Sequence, residues 1–204
     1  MWSLTLFKCK TVLHVDREVY FMDMDYKIYR RLLEGDENAL DELIIKYRKP
    51  LSGYIHSFVK DMDVAEGLMI DTFVELIRHK SKFRGESSLK TYLFTIGRNK
   101  ALRYIKQRKN YTFVPLEDAT YSISDEQSVE DELLDLLRRE SVRDAVNALN
   151  PVYREVIFLI FFEEMSYKQA AAVLHKSEKQ IANLVYRAKK SLKSIILEKE
   201  DILE

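Results

Sequence analysis

The chain has 204 residues, with 33 Lys and Arg against 33 Asp and Glu, and 47% of it is hydrophobic. That length makes one ordinary domain or two small ones, and a single cysteine, Cys9, excludes an intrachain disulfide and a Cys-based zinc site. Scarce glycine (5) and proline (3) argue against an all-β fold, and no apolar run approaches the roughly 18–20 residues of a membrane span.

Residues 1–24 read as an N-terminal extension of mixed pattern. They carry the only Trp and the only Cys, lack an A-x-A cleavage site, and are assigned no chemistry. From Asp25 the pattern predicts helix, with Ile28, Leu32 and Leu33 on one face up to Gly35. Asp36 is placed to cap the next helix, whose apolar face runs through Ala39, Leu40, Leu43, Ile44 and Tyr47. Pro50 either kinks that helix or opens another at its first turn, and Leu51, Tyr54, Ile55 and Phe58 continue the face. Asp63 and Glu66 have capping-box spacing, and the helix beyond is expected to bury Leu68, Met69, Thr72, Phe73, Leu76 and Ile77.

Between Arg78 and Lys109 the chain holds eleven Lys and Arg and one acid, Glu86. A solvated helix face normally mixes its signs, so a basic field of this kind points to a polyanion. Ser87 or Ser88 can cap a helix in which Leu89, Tyr92, Leu93 and Ile96 form a buried stripe. Lys90, Thr91, Arg98, Arg103 and Lys106 fall largely outside that stripe. Gly97 costs such a helix about 1 kcal/mol against Ala, which a close backbone approach would explain.

The sign then reverses. Residues from Asn110 to Leu137 include no Lys or Arg and eight acids, with Pro115 and three serines. This reads as an acidic flexible linker, assigned to residues 111–131, that either tracks a positive channel on a partner or keeps two domains soluble. A second domain, residues 132–204, opens with Leu133, Leu134, Leu137, Val142, Val146 and Leu149 on a helix ending at Asn150-Pro151. Val152, Val156, Ile157, Leu159, Ile160 and Phe161 make a strongly apolar helix after it. The stretch from Met165 to Ile196 has helix–turn–helix pattern: Ser166 caps a short helix, His175 and Lys176 turn, and Ser177 caps a longer one. The outer face of that longer helix carries Lys179, Gln180, Asn183, Tyr186, Arg187 and Lys190, side chains suited to base edges and phosphates.

FRGESSLKTYLFTIGRNKAL, residues 83–102, resembles the promoter-melting, −10-reading segment of extracytoplasmic-function (ECF) sigma factors of bacterial RNA polymerase. Tyr92 stands for the family's usual Trp, Phe94 for Tyr and Gly97 for Ala. GDENALDELIIKY is similar to the family's opening segment, and VAEGLMIDTFVELI to the segment that grips the coiled coil of the polymerase β′ subunit, with Gly67 for Asp and Ile70 for Gln. LNPVYREVIFLIFFEEMSYKQAAAVL with VYRAKKSL resembles the −35-binding domain. There His175 takes the place of a turn glycine, and Ala182 and Leu184 replace basic residues.

The resemblance implies two all-α domains joined by the acidic linker: residues 25–110 for polymerase binding and −10 melting, and residues 132–204 for −35 recognition. It assigns Phe83, Arg84, Gly85, Glu86, Ser87, Tyr92, Arg98, Asn99, Arg103 and Lys106 to −10 DNA. It assigns Lys179, Gln180, Asn183, Tyr186, Arg187 and Lys190 to −35 DNA, and Ala65, Glu66, Leu68 and Asp71 to polymerase. The partners it implies are core polymerase, through the β′ coiled coil and the β flap, promoter DNA, and an anti-sigma factor, in the cytoplasm. No cofactor is expected. His14, His56, His79 and His175 lack ligand spacing, and no phosphate-binding loop, nucleophile elbow or dinucleotide fingerprint occurs, so neither a metal site nor an enzyme is expected. The alternative is a stand-alone helix–turn–helix regulator, for which residues 163–193 suffice; its DNA binding would not require polymerase.

Overall fold

A computed structural model describes residues 14–79, 83, 85–109 and 144–203, with side-chain surroundings for 24–79, 83, 85–108 and 144–197. The described residues are helical, with α1 His14–Leu33, α2 Glu37–Val59, α3 Met62–Arg78 and α4 Leu89–Lys109 in a first module. The second module has helical residues 144–148, then α5 Pro151–Ile157 running into a π-helical turn Phe158–Phe162, α6 Tyr167–Leu174 and α7 Glu178–Leu203. The acidic linker, the predicted second-domain helix as far as residue 143, and Arg84 lie outside the described residues.

Short-range chemistry sets the helix ends. Asp36 accepts the Asn38 amide ahead of α2, and the Ser88 hydroxyl accepts the Thr91 amide ahead of α4 at 3.1 Å. Ser166 and Gln169 close a capping box at α6, and Ser177 and Gln180 close another at α7. Each such cap satisfies an otherwise orphaned donor. Asn150 caps α5 by accepting the Tyr153 amide, with Pro151 in the first turn, where its missing N–H costs nothing.

Three expectations are corrected. α1 begins at His14, not at Asp25. α3 is capped by Asp61, which accepts the Val64 amide, so Asp63 sits in the first turn and forms no capping box with Glu66. Of the two readings of Pro50 the second is excluded: it opens no new helix, because α2 is continuous through it from Glu37 to Val59.

α2 is the central helix of the first module and packs on α1, α3 and α4. Leu43, Leu51, Tyr54 and Ile55 are fully buried along it. Asp25, itself buried, pins α1 to α2 by accepting the Tyr47 hydroxyl and the Lys46 ammonium. α4 crosses α2 at Gly97, where a Cβ would meet the Leu51 Cδ1 at 2.9 Å and the Ile55 Cδ1 at 3.3 Å. The close approach inferred for this glycine is therefore present. Gly97→Ala gains about 1 kcal/mol of helix propensity but forces overpacking that costs about 1–3 kcal/mol. Leu51 and Ile55 are fully buried and cannot swing into solvent. The expected net result is a loss of about 1 kcal/mol, read from the urea midpoint.

The two modules share one core. α6 lies against α4 and α5 against α2, and Phe158 packs on Tyr54, whose ring also meets Phe94. This explains why α4 is buried beyond its predicted stripe. Thr91 and Phe94, on other sides of the helix from Leu89, are each inaccessible.

Candidate nucleic-acid interface

The loop before α4 is built on an aromatic cluster. Phe83 is half-buried, edge-on to Tyr29 at 5.0 Å and tilted against Tyr92 at 5.1 Å. Burial pushes the Tyr29 hydroxyl up to about 12, with the Tyr92 hydroxyl adding to the shift. Gly85 takes φ +74, where an L side chain is strained, and its missing Cβ faces the Tyr26 ring. The Ser87 hydroxyl points back to the Ser88 carbonyl, and Glu86 faces solvent.

Along α4 the predicted DNA residues divide into two groups. Asn99, Arg103 and Lys106 are exposed on its second half. Arg98 is not: its Nε donates to the Glu155 Oε1 at 2.5 Å, and only 16% of its side chain is accessible. Burial alone would lower the Arg98 guanidinium, but Glu155 more than offsets this and the net shift is upward. The expectation that Lys90 and Thr91 stay outside the buried stripe is corrected by the packing of the second module. Thr91 is inaccessible and bonds to the Ser88 hydroxyl, while Lys90 pairs with Glu163 of the second module at 2.8 Å. Lys100 is taken up by Glu75 of α3 at 2.9 Å, which holds that carboxyl below its usual range.

α7 presents Lys179, Asn183, Tyr186, Arg187 and Lys190 to solvent, and Tyr186 is 71% accessible. Gln180 is exposed too, but its side-chain carbonyl already accepts the Ser177 amide. Ile181, Val185 and Ala188 face the core, and Leu184 packs against it. Leu184 thus stands where the resemblance places a basic residue because this chain uses the position for packing. Before α7, His175 adopts φ 53, ψ 47, the left-handed conformation expected where a glycine is usual. That conformation costs a non-glycine residue about 1–2 kcal/mol, partly offset in a glycine variant by about 0.4–1 kcal/mol of extra chain entropy. His175 is exposed and loses no packing. His175→Gly is therefore expected to stabilise the protein by about 0.5–1 kcal/mol, seen as a higher urea midpoint.

On α3, Glu66 and Asp71 face outward and Leu68 is half-buried. Ala65 is fully buried, which corrects its assignment to a polymerase contact: it turns inward and packs. The outward line Gly67, Ile70, Val74 and Ile77 is apolar, and Ile77 is 39% accessible where burial was expected. Among the described residues no cluster of His, Cys, Asp and Glu could hold a metal ion, and no helix is long and apolar enough to cross a membrane.

An exposed basic face on α4 below an aromatic-backed loop, with a helix–turn–helix presenting Arg and Tyr outward, is an arrangement suited to nucleic acid. The sigma-70 region 2 family matches residues 43–111, and the sigma-70 region 4 family matches residues 139–192. The RNA polymerase sigma factor NccH of Alcaligenes xylosoxydans xylosoxydans is 30% identical over 85% of this chain and 95% of that protein. The RNA polymerase sigma-H factor of Pseudomonas aeruginosa is 27% identical over 83% of this chain and 92% of that one. Among solved structures, the sigma factor RpoE in complex with the anti-sigma factor NepR from Bartonella quintana superposes with a TM-score of 0.63. It is 25% identical and spans 76% of this chain and 95% of its own. The chain belongs to the ECF sigma factors of RNA polymerase. Its work is promoter recognition for transcription initiation, the regulatory role of sigma factors.

Proposed function

We propose that the two reading surfaces divide the promoter between them. The loop Phe83–Ser87 and the exposed half of α4, with Asn99, Arg103 and Lys106, take the −10 element. The outer face of α7, with Lys179, Asn183, Tyr186, Arg187 and Lys190, takes the −35 element. Glu66, Leu68 and Asp71 on α3 meet the polymerase β′ coiled coil, and the second module meets the β flap. In domain terms, residues 25–110 melt and read, and residues 132–204 anchor. The observation that carries this reading is the outward placement of Tyr186 and Arg187 on a capped helix whose opposite face is fully packed. A residue so placed can enter a major groove without unfolding anything. Melting needs no bond chemistry, since flipped non-template bases exchange stacking in the duplex for contacts with protein.

The test is run-off transcription with core polymerase and genomic DNA, which yields discrete transcripts only if the chain directs initiation. Arg187→Ala is expected to cost about 1–3 kcal/mol at a cognate −35 element and to relax preference there. Equal loss on random DNA would make Arg187 a phosphate contact. The structural similarity to a sigma factor held by an anti-sigma factor supports an anti-sigma partner for this chain as well. Affinity capture on the full chain from the source cell, followed by repression of run-off transcription by the captured protein, tests it.

A further inference from the structure

Melting frees bases, and an aromatic ring is the surface that best takes a freed base. The loop before α4 has little such surface of its own to give. Phe83 and Tyr92 are half-buried with their rings together at 5.1 Å, and Tyr29 closes edge-on against Phe83 at 5.0 Å. Among the described residues of the first module, the one exposed Tyr or Phe is Tyr26 of α1, which is 46% accessible. It stands beside the loop, with its Cε2 3.5 Å from where a Cβ on Gly85 would lie. No residue of α1 is among those that the resemblance assigns to DNA.

The backbone that carries Tyr26 is fixed on both sides. Asp25, just before it, is buried and accepts the Lys46 ammonium and the Tyr47 hydroxyl from α2. Tyr29, three residues on, is 1% accessible and meets Phe83. Residues three apart share a helix face, so α1 backs the loop with two tyrosines, a buried one at Phe83 and an exposed one at Gly85. A Tyr ring also offers wide contact at low entropic cost, because it has only two side-chain rotors to fix. We propose that Tyr26 is a stacking platform for an unpaired base of the melted non-template strand, supplied by α1 next to the capture loop. This rests on the −10 assignment made above. Every base has a π-face, so stacking tolerates any sequence. Tyr26 therefore holds the DNA open and leaves the choice of promoter to the polar residues around it.

The experiment measures holoenzyme binding to a promoter found by run-off transcription and pre-opened across the −10 element by mismatches, so that capture is read without the cost of opening. Tyr26→Leu keeps an apolar side chain beside Gly85 and removes the ring. It should bind the bubble about tenfold more weakly, and Tyr26→Phe, which keeps the ring, should restore binding to within about twofold of wild type. The urea midpoint of Tyr26→Leu should not move, since the side chain is exposed. Single abasic sites placed in turn along the non-template strand then locate the stacked base. At one position wild type and Tyr26→Leu should bind equally, because the base that the ring would meet is gone. A Tyr26→Leu that binds the intact bubble as wild type does overturns the inference. So does a loss that persists at every abasic position, which would make Tyr26 a support for the loop and not for a base. Asn99→Ala separates this failure from that of the −10 assignment. If Asn99→Ala weakens binding while Tyr26→Leu does not, the platform fails and the assignment stands. If neither weakens it, the assignment fails and takes the platform with it.

Discussion

Asp25→Ala is expected to destabilise the first module by about 2–4 kcal/mol, read from urea denaturation at neutral pH. Asp25 is 4% accessible and accepts both the Tyr47 hydroxyl and the Lys46 ammonium. Removing it strands the Tyr47 hydroxyl in a buried site, which alone costs about 1–3 kcal/mol. The Lys46 side chain is 33% accessible and keeps a route to water, which holds the loss below the upper end for a fully buried pair. Burial, with Asp25 next, already pushes the Tyr47 phenol far above its ordinary value, so ionisation offers no relief. Asp25→Asn keeps an acceptor for Tyr47 and should lose about half as much. A loss under about 0.5 kcal/mol for alanine would show that α1 is held by its apolar face alone. The effect should reach the promoter loop. Tyr29, on the same helix as Asp25, supports the ring of Phe83.

What was legible in the sequence was local. Asp36, Ser88, Ser166 and Ser177 could be named as caps because each acts on an amide two or three residues away. The outer face of α7 was legible for a related reason, since its apolar residues keep a helical period and leave the polar ones outside. The cap of α3 was placed at Asp63 and lies at Asp61, because both precede an apolar run and only backbone conformation selects the cap. The larger failure was at the head of α4. The stretch around it holds a single acid, so Lys90 and Arg98 read as a free basic field. Their carboxylates come from residues 163 and 155, across a segment with no periodicity to fix its path. The same distant packing buried Thr91. Ala65 was misplaced by a similar route, because resemblance transfers a segment's role without saying which of its residues face the partner.

Asn99→Ala and Glu86→Ala are expected to leave holoenzyme bound at the promoter while permanganate reactivity across the −10 element falls severalfold. Both side chains are exposed and their loss should spare the fold. The reason for a large effect is a near balance. Unstacking a duplex step costs a few kcal/mol, and stacking a freed base on an aromatic returns about 1–3 kcal/mol. A single lost polar contact to the flipped base, about 1 kcal/mol, then tips much of the population back to closed DNA. Phe83 is a poorer probe of the same step. It is half-buried between Tyr29 and Tyr92, so Phe83→Ala would remove packing as well as any base contact. The two polar variants separate these contributions: a change in permanganate reactivity with unchanged urea midpoint belongs to melting. Tyr92→Trp supplies the opposite sign, because a larger ring on the same support offers a base more surface, and reactivity should rise. Normal opening in both alanine variants, at unchanged promoter preference, would remove the loop and Asn99 from the melting machinery. The captured base would then have to be sought along the exposed face that carries Arg103 and Lys106.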